Sequence, residues 1–550
     1  MPERAVVQTP VLIIGGGPVG LSLALELACH GIESVVVDQG RGTGAELVGK
    51  AGTLNERSME FVRRWGIEEP ATHWGGPAKA PNETVYCTAV FGGHVLGRAR
   101  SSRPQGEYSP CRWTKCPQTV YDPLVAKTVL ATGKVSILYS TRYESLEQDD
   151  GEVRADCVDL ASGARTRIVA RYLVGCDGAT STVREQVGIG YPGKMLDYSL
   201  SIMLDFENLA AFTGQPEVER YMLVGPRGVW SNLTFMDYRR MWRMVLVGSQ
   251  ERLSLDRLDV HGELKRALGR DDIPYEVLRA VPWRRSECVA ERYRARRVFL
   301  AGDAAHSTSP TGGHGLNTGL GDVAGLGWML AAVLQGWADP RLLDAYEIER
   351  LPVAARNGSA STANYRAWVG QVDFSGVLAE DAAGVAARAN VAAALHTGLH
   401  LEWNSVGIAL GYRYEKSPII VPDGSAAPPD RVEEYVPTTR PGHRAPHAWL
   451  APGRSTLDWY GRGFVLVQSV PPVPPNLVAS GDAGTERFIA AARHRGMPIR
   501  VEQIVDPAIG ALYEQPHVLV RPDGHVAWRG GTLPDDPGEV LDIITGRVRA

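Results

Sequence analysis

Apolar residues first occur together at residues 9–14, in a run that predicts a strand buried on both faces. The run stops at Gly15. Apolar positions between Leu21 and Ala28 then recur at helical spacing, and we expect this helix to end near Gly31. A second apolar run, at residues 35–37, ends in Asp38. The order strand, glycine turn, helix, strand predicts the first unit of an α/β fold.

Two later regions have a different pattern. Residues 199–206, 230–237 and 241–247 are strand-like and predict a sheet. Residues 420–431 are rich in proline and predict a linker. Beyond them the pattern predicts strands at 463–467, 499–505, 516–520 and 526–528, with helices near 485–495 and 537–548. The chain therefore divides into several domains, as its 550 residues also require.

Composition excludes several classes of protein. The net charge of −4 gives no basic surface for nucleic acid. No run reaches about 18 apolar residues and no signal-like segment opens the chain, so we expect a cytoplasmic protein that does not enter a membrane. The seven cysteines follow no metal-ligand spacing, which predicts free thiols and no metal site.

The glycine turn carries the first chemical signal. Gly15, Gly17 and Gly20 form a G-x-G-x-x-G motif, in which the glycines permit a tight turn, close approach of a pyrophosphate and close packing of helix on strand. Asp38 follows at the distance of a ribose-binding carboxylate, which would repel a 2′-phosphate. The first site is therefore expected to bind FAD or NAD rather than NADP.

Two further motifs follow buried strands. Residues 175–184 contain Asp177-Gly178, and residues 300–322 contain Gly302-Asp303 and a later run of glycines. Together with the first motif they resemble those of the FAD-dependent aromatic-ring hydroxylases, the family of para-hydroxybenzoate hydroxylase and phenol hydroxylase. The resemblance covers about residues 9–370, and the C-terminal pattern is similar to the thioredoxin-like domain of phenol hydroxylase and many polyketide hydroxylases.

The resemblance implies an α/β fold with four parts. A Rossmann-type (GR2-like) FAD-binding domain is expected at 1–75, 112–187 and 284–370, with a β-sheet substrate domain inserted at 76–111 and 188–283. A helical region and linker would cover 371–431, and a thioredoxin-like domain 432–550. The last domain contains no cysteine, so it cannot exchange disulfides.

The resemblance also assigns residues to the cofactor. Asp303 would accept from the ribityl chain, and the first turn of the helix after Gly313 would face the flavin's pyrimidine edge. Lys50 departs from the arginine commoner in the family. The expected cofactor-binding residues are Gly15, Gly17, Pro18, Gly20, Asp38, Gln39, Lys50, Arg57, Gln118, Asp177, Asp303, Pro310, Gly315, Leu316 and Asn317.

Other interpretations of these residues stay open. Asp177 also fits an ordinary strand-to-helix turn, Asp303 a helix cap, and Arg57 and Gln118 a helix surface. Pro310 and Gly313 are expected at the reacting face of the flavin, although a proline also stiffens a loop. His306 and His314 could act as bases, but we expect His306 to belong to the scaffold.

The substrate is expected on the inserted sheet. Strand residues Trp230, Asn232, Thr234, Phe235 and Met244 are the candidates for its contacts, with core packing as the alternative for each. No cluster of arginines that could clamp a carboxylate is visible in the sequence, so benzoates are not favoured over neutral or polycyclic phenols.

The resemblance predicts a monooxygenase, a monomer or homodimer, that uses FAD, NADPH or NADH and O₂ to hydroxylate an aromatic small molecule through a flavin C4a-hydroperoxide. A Baeyer–Villiger or decarboxylative monooxygenase on the same scaffold is the alternative among enzymes. A flavin-bound binding protein without turnover is the alternative from another class.

Overall fold

The structure is a computed structural model. It describes residues 5–43, 52–74, 83–100, 106–207, 209–213, 218–237, 239–253, 255–370, 372–470 and 483–548. Within these ranges, no helix has the length and apolar character needed to cross a bilayer.

A mostly parallel sheet contains the N-terminal strand. In the described ranges its order is β16-β17-β10-β1-β2-β7, with β9 and β8 added beside β10. The strands are β1 (Ala5–Ile14), β2 (Ser34–Val37), β7 (Val135–Leu138), β8 (Thr141–Gln148), β9 (Val153–Asp159), β10 (Arg165–Gly175), β16 (Arg294–Ala295) and β17 (Val298–Leu300). Since β17, β10, β1 and β2 run parallel, their carboxyl ends meet at one edge.

The second sheet, called here the substrate sheet, is mostly antiparallel. Its order among the described strands is β18-β15-β11-β14-β13-β12-β4-β5. The strands are β4 (Glu83–Cys87), β5 (Val95–Arg100), β11 (Gly193–Asp205), β12 (Arg220–Gly225), β13 (Gly228–Phe235), β14 (Met241–Ser249), β15 (Glu276–Val289) and β18 (His306–Ser307). The short β18 follows the Gly302-Asp303 turn, so this sheet continues into the third motif.

Helices cover both sheets. The long α8 packs against α1, and its apolar face is buried because alanine, glycine and leucine allow close contact. The helices are α1 (Pro18–Cys29), α2 (Glu56–Arg64), α3 (Glu68–Thr72), α4 (Gln118–Ala131), α5 (Thr182–Gln186), α6 (Ala210–Thr213), α7 (Val260–Leu268), α8 (His314–Leu334), α9 (Asp344–Val369), α10 (Ala382–Gly398), α11 (His400–Trp403) and α12 (Val406–Leu410). A two-stranded pair, β3 (Thr53–Leu54) and β6 (Thr114–Lys115), lies beside α2.

The C-terminal region has its own sheet, with the order β22-β21-β23-β24 in the part that the structure describes. The elements are β19 (Trp449–Ala451), β20 (Arg454–Ser455), β21 (Phe464–Ser469), α13 (Ala483–His494), β22 (Ile499–Ile504), α14 (Pro507–Leu512), β23 (His517–Val520), β24 (Val526–Gly530) and α15 (Pro537–Ile544). Residues 420–431, expected as a linker, contain no helix or strand.

Buried ion pairs join the C-terminal region to the rest of the chain. Arg444 donates to Glu60 of α2 at 2.5 Å, and Arg521 donates to Glu349 of α9 at 2.5 Å and to Asp523 at 2.5 Å. All of these side chains are at most a few per cent exposed. Since removing one partner of a buried pair costs about 3–5 kcal/mol, this interface is strongly specified.

His525 lies in the same interface, against the rings of Tyr412 and Tyr414. Burial lowers its pKa to about 3, although Asp523 acts in the opposite direction. The unfolded chain takes up this proton below about pH 6.5, whereas the folded protein does not until about pH 3. The group therefore stabilises the fold above pH 6.5, and that contribution is lost as the pH falls.

We expect the free energy of unfolding to fall by about 2 kcal/mol from this one histidine between pH 7.5 and 5. Urea unfolding of the holoenzyme at both pH values measures it. His525→Gln should reduce the pH dependence, whereas His73→Gln, at an exposed position, should leave it unchanged. An equal pH dependence in wild type and His525→Gln would contradict the assignment.

Candidate functional site

The glycine turn between β1 and α1 leaves the start of the helix open. A Cβ at Gly15 would lie 2.4 Å from the carbonyl oxygen of Cys176, and one at Gly20 would lie 1.9 Å from that of Gly15. A Cβ at Gly17, by contrast, would meet nothing within 4 Å. Pro18 is the first residue of α1, where its missing N–H costs nothing. The turn thus packs tightly at Gly15 and Gly20. At Gly17 it leaves space for a ligand beside the backbone N–H groups that begin α1.

Asp38 lies where the ribose of a dinucleotide is expected. Its two carboxylate oxygens accept from the N–H groups of Gly16 and Gly40, both at 2.6 Å. A carboxylate has about four acceptor positions, so two remain for ribose hydroxyls. Gln39 is exposed beside it, and Lys50 lies outside the described residues. The open turn and the carboxylate fit the adenosine diphosphate part of FAD.

The three motifs meet at the carboxyl edge of the parallel sheet. The N–H of Cys176 donates to Ile14 at 2.7 Å, and that of Ala301 donates to Gly175 at 3.0 Å. The segments after β1, β10 and β17 are therefore neighbours, although they are more than a hundred residues apart in sequence. Ligands of open α/β sheets bind at this edge.

Asp177 is engaged with its own turn. It accepts from the Ser181 hydroxyl at 2.5 Å and from the Val183 N–H at 3.1 Å, while burial raises its pKa above the ordinary value. Arg184 donates to the carbonyls of Ala179 and Ala304 at 3.0 and 2.9 Å. Arg184 thus holds the segment after Gly302-Asp303 in place. The contacts that Asp177 makes within its own segment support its interpretation as part of a strand-to-helix turn.

A buried carboxylate organises the third motif. Asp322 of α8 accepts from the Gly302 N–H at 3.1 Å, from His306 Nε2 at 2.7 Å and from Arg350 Nε at 2.9 Å. His306 is fully buried, so it belongs to the scaffold and does not reach a ligand. Asp303, next to this buried group, is exposed at the edge of the sheet.

The first turn of α8 borders a small cavity. Gly313 precedes the helix in the left-handed conformation (φ 69°), and its N–H donates to the Pro310 carbonyl at 3.1 Å. Gly315 and Leu316 continue the turn, half-buried. The cavity is lined by Thr53, Asn55, Trp113, Gly312, Gly313, His314, Asn317, Ser405 and Ala409. Uncapped N–H groups at a helix start favour an anionic or hydrogen-bond-accepting group there.

Several predicted residues use their side chains within the protein. Asn317 accepts from the Asn55 N–H at 2.9 Å and donates to the Gly313 carbonyl at 2.6 Å, so only its backbone is left for a cofactor. Arg57 donates to Tyr412, Glu60 and the Asp523 carbonyl. Gln118, first in α4, donates to Asp122 at 2.9 Å. A direct contact from the Arg57 and Gln118 side chains to FAD stays a prediction.

The substrate sheet separates the predicted substrate residues onto two faces. Phe235 and Met244 are fully buried in the core between the sheet and α7, with Phe235 stacked on Trp242 at 4.4 Å. A bulge opposite β12 displaces Trp230, and Arg266 of α7 lies 3.9 Å above its ring. Along β13, Asn232 and Thr234 alternate with Leu233 and Phe235, which belong to that core. They therefore lie on the other face of the sheet, called here the inward face. The structure brings only these two residues together on the inward side.

Three residues that line the cavity were not predicted from the sequence. Trp113 belongs to no motif, and Ser405 and Ala409 come from a region that was expected to be helical and linking only. Composition offers no signal for them, because their position depends on how α12 packs beside α2.

Comparison with known proteins decides the family. Residues 8–361 match the FAD binding domain family, and residues 438–547 match the family described as aromatic-ring hydroxylase, C-terminal. The chain belongs to the FAD-dependent aromatic-ring hydroxylases. It is a flavoprotein monooxygenase, as the three motifs predicted.

The hydroxylase is similar to its relatives along the whole chain. It is 32% identical to tetracenomycin B2 monooxygenase-dioxygenase of Streptomyces olivaceus (99% of each chain) and 29% identical to 2,4-dichlorophenol 6-monooxygenase of Delftia acidovorans (100% of this chain, 99% of the relative). Among solved structures, chromopyrrolic acid-soaked RebC with bound 7-carboxy-K252c is 37% identical, with a TM-score of 0.89 over 99% of this hydroxylase and 100% of RebC.

Gly17→Ala tests whether the glycine turn of this hydroxylase binds FAD. The protein leaves open space at the added methyl and the backbone there is extended, so the fold should keep its stability while FAD binds at least tenfold more weakly. Tenfold corresponds to about 1.4 kcal/mol. Flavin fluorescence titration of the apoprotein measures it.

Two matched variants complete the test. Gly20→Ala, whose methyl would overlap the Gly15 carbonyl, should lower both the thermal midpoint and the FAD affinity. Gly97→Ala, in open space on β5, should change neither. FAD affinity in Gly17→Ala equal to that of Gly97→Ala would show that no ligand approaches this turn.

Proposed function

We propose that this hydroxylase inserts one atom of O₂ into an electron-rich ring carbon of a polycyclic aromatic substrate, with NADPH or NADH as the reductant. The position of the cavity carries the proposal. The first turn of α8 borders it, and two of its lining residues, Trp113 and Ser405, are close in sequence to Lys115 and Glu402, which pair with Glu219 and Arg220 at the substrate sheet. A ring on that face would lie next to the flavin.

The named relatives support a natural product rather than a simple phenol. RebC, whose structure contains 7-carboxy-K252c after soaking with chromopyrrolic acid, is 37% identical to this chain. The enzyme named for 2,4-dichlorophenol is 29% identical. The reaction balances as ring C–H, O₂, NAD(P)H and a proton giving ring C–OH, water and NAD(P)⁺.

In this proposal the glycine turn, two carboxylates and the start of α8 hold the cofactor. The N–H groups above Gly17 bind the pyrophosphate, Asp38 accepts from the adenosine ribose, and Asp303 accepts from the ribityl chain. The backbone N–H groups of Gly315, Leu316 and Asn317 face the pyrimidine edge. The dipole of α8 stabilises negative charge there by about 0.3–1 kcal/mol, and up to about 2 kcal/mol when partly buried.

FAD, when bound, accepts electrons from the reductant and passes them to O₂. The chain's own residues position the reactants. Pro310 and Gly313 form the turn beside the cavity, and Asn232 and Thr234 orient the substrate on the sheet. The protein contributes by holding the aromatic ring of the substrate beside the flavin and by excluding water. We do not assign His306 as a general base, since it is enclosed by Asp322 and the core.

The domain organisation is part of the proposal. We assign 1–75, 112–187 and 284–370 to FAD binding, 76–111 and 188–283 to the substrate, and 371–431 to a helical connection. The strand order β22-β21-β23-β24, with β21 and β22 parallel and the other pairs antiparallel, supports a thioredoxin-like domain at 432–550. The unit is a monomer or homodimer, and O₂ is the second substrate.

Anaerobic stopped-flow reduction tests the proposal. The holoenzyme is mixed with NADPH or NADH, with and without a panel of phenols and polycyclic phenols, and ¹⁸O₂ is then admitted. We expect one polycyclic compound to accelerate flavin reduction at least tenfold and to gain a single ¹⁸O atom.

Three other outcomes would contradict it. If neither NADPH nor NADH reduces the flavin, the protein is a flavin-bound binding protein without turnover. A product that has lost a carboxyl group, or gained oxygen within its ring, would indicate the decarboxylative or Baeyer–Villiger alternative. Equal stimulation by simple phenols would remove the preference for polycyclic compounds.

A further inference from the structure

Pro310 is the exposed residue of a turn whose neighbouring side chains are buried. Ser309 and Thr311 are at most 1% exposed, whereas Pro310 is open to solvent a few residues before α8 begins. The Gly313 N–H closes the turn by donating to the Pro310 carbonyl at 3.1 Å. We call residues 309–313 the proline turn. Its position depends on the contacts of the two buried hydroxyl groups.

These two hydroxyl groups belong to one hydrogen-bonded chain. The Thr311 hydroxyl donates to the Ser361 carbonyl of α9 at 2.6 Å. Since a hydroxyl has one hydrogen, Ser309 is the donor in its 2.7 Å bond to Thr311. Arg285 of β15 in turn donates from Nη1 to the Ser309 hydroxyl at 2.9 Å. Each donor direction is therefore fixed, from the substrate sheet through the proline turn to α9.

A buried carboxylate holds the guanidinium group of Arg285. Asp197 lies opposite Arg285 on β11, and both of its carboxylate oxygens are 3.3 Å from Arg285 Nε. Asp197 also accepts from the Tyr365 hydroxyl of α9 at 2.6 Å. The Ser199 hydroxyl and the Gly248 N–H donate to it as well, at 2.9 and 3.0 Å. The two charged side chains are at most 1% exposed. The ion pair is therefore fixed from β11, β14 and α9 at once.

The same ion pair is joined to the inward face of the substrate sheet. Trp283 precedes Arg285 by two residues on β15, and the centre of its ring lies 5.0 Å from the Arg285 guanidinium carbon. The Trp283 ring N–H donates to the Ser201 hydroxyl at 3.0 Å. Ser201 lies in one row with Asn232, because both are directly opposite Val245 of β14. Arg285 thus connects the proline turn with the face of the sheet that carries Asn232.

We propose that the Asp197–Arg285 ion pair positions the proline turn for the reaction: through the hydroxyl chain it sets Pro310 at a fixed distance from the substrate sheet. The inference rests on the proposed function, in which Pro310 lies beside the flavin. That distance determines how close a ring carbon on the sheet comes to the flavin. When the distance is wrong, NAD(P)H, O₂ and a proton give NAD(P)⁺ and H₂O₂, and the ring is not hydroxylated.

The test removes hydroxyl groups and keeps both charges. Substituting Arg285 or Asp197 would leave a buried charge without its partner and would endanger the fold. The variants are therefore Ser309→Ala and Thr311→Val, each of which interrupts the hydroxyl chain. Thr311→Ser keeps the hydroxyl and is the conservative rescue. Ser199→Ala is the matched control, because Ser199 is fully buried and contacts the same ion pair but lies on β11, outside the proline turn.

Two measurements on the holoenzyme need no substrate. Visible circular dichroism of the bound FAD reports the asymmetry of the protein around the flavin ring. Mixing the photoreduced holoenzyme with O₂ gives the rate constant of flavin reoxidation. A third measurement uses the compound of the phenol panel that most accelerates flavin reduction: kcat and KM are determined, and hydroxylated product and H₂O₂ are counted per NAD(P)H consumed. FAD content and thermal midpoint are recorded for every variant.

We expect Ser309→Ala and Thr311→Val to change both the visible dichroism and the reoxidation rate constant at least twofold. In both variants kcat for hydroxylation should fall at least tenfold while KM changes less than twofold, since a displacement of about 1 Å can cost about a hundredfold in rate. The share of NAD(P)H that yields H₂O₂ should rise accordingly. Thr311→Ser and Ser199→Ala should stay within twofold of the wild type. If Ser309→Ala does not retain FAD, the two Thr311 variants decide.

Four results would overturn the proposal. These are unchanged dichroism and reoxidation in Thr311→Val, unchanged kcat in that variant, or the same losses in either Thr311→Ser or Ser199→Ala. All four leave the proposed function intact as long as the wild type hydroxylates a compound of the panel. If the wild type hydroxylates none of them, the proposed function fails, and the two measurements without substrate still decide whether the ion pair positions the proline turn.

Discussion

The carboxylate of Asp322 is the constraint on which the flavin side of the structure depends. Burial opposes its ionisation, but His306 and Arg350 keep its pKa below the ordinary value. It fixes the Gly302 N–H, the ring of His306 and, through Arg350, the Thr318 carbonyl near the start of α8. One buried charge thus sets the relative position of the Gly302-Asp303 turn and the start of α8, the two segments assigned to the flavin in the proposed function. Leaving its partners without it would cost several kcal/mol.

The same group extends the role of the C-terminal region. Arg350 donates to Tyr414, and its neighbour Glu349 accepts from Arg521, which lies immediately after β23. Two buried ion pairs, Asp322–Arg350 and Glu349–Arg521, meet at adjacent residues of α9 and connect the C-terminal sheet with the third motif. The C-terminal domain, which contains no cysteine, therefore has a structural role. It covers the charges of Glu349 and Arg521, which would lie in water if this domain were absent.

Local constraints explain what could be predicted. The glycine turn, β1, α1 and Asp38 follow from adjacent residues whose spacing allows one geometry. The strands of the C-terminal sheet and three strands of the substrate sheet, β11, β13 and β14, were also predicted. The face of a strand residue was less predictable, because the bulge at Trp230 changes the alternation. Residues that meet only through strand pairing, such as Arg220, Thr234 and Arg243, could not be grouped from the sequence.

The pairing of β18 with β15 has a consequence for how such an enzyme can change. His306 and Ser307 pair with Val289 and Cys288 at one margin of the substrate sheet, a few residues after the flavin-facing turn. Among the described residues, the two strands at the opposite margin, β4 and β5, pair with no segment of the three motifs. We therefore expect substitutions near β15 to affect the third motif through strand pairing, a route that β5 does not share. Libraries for the directed evolution of specificity should begin at β5.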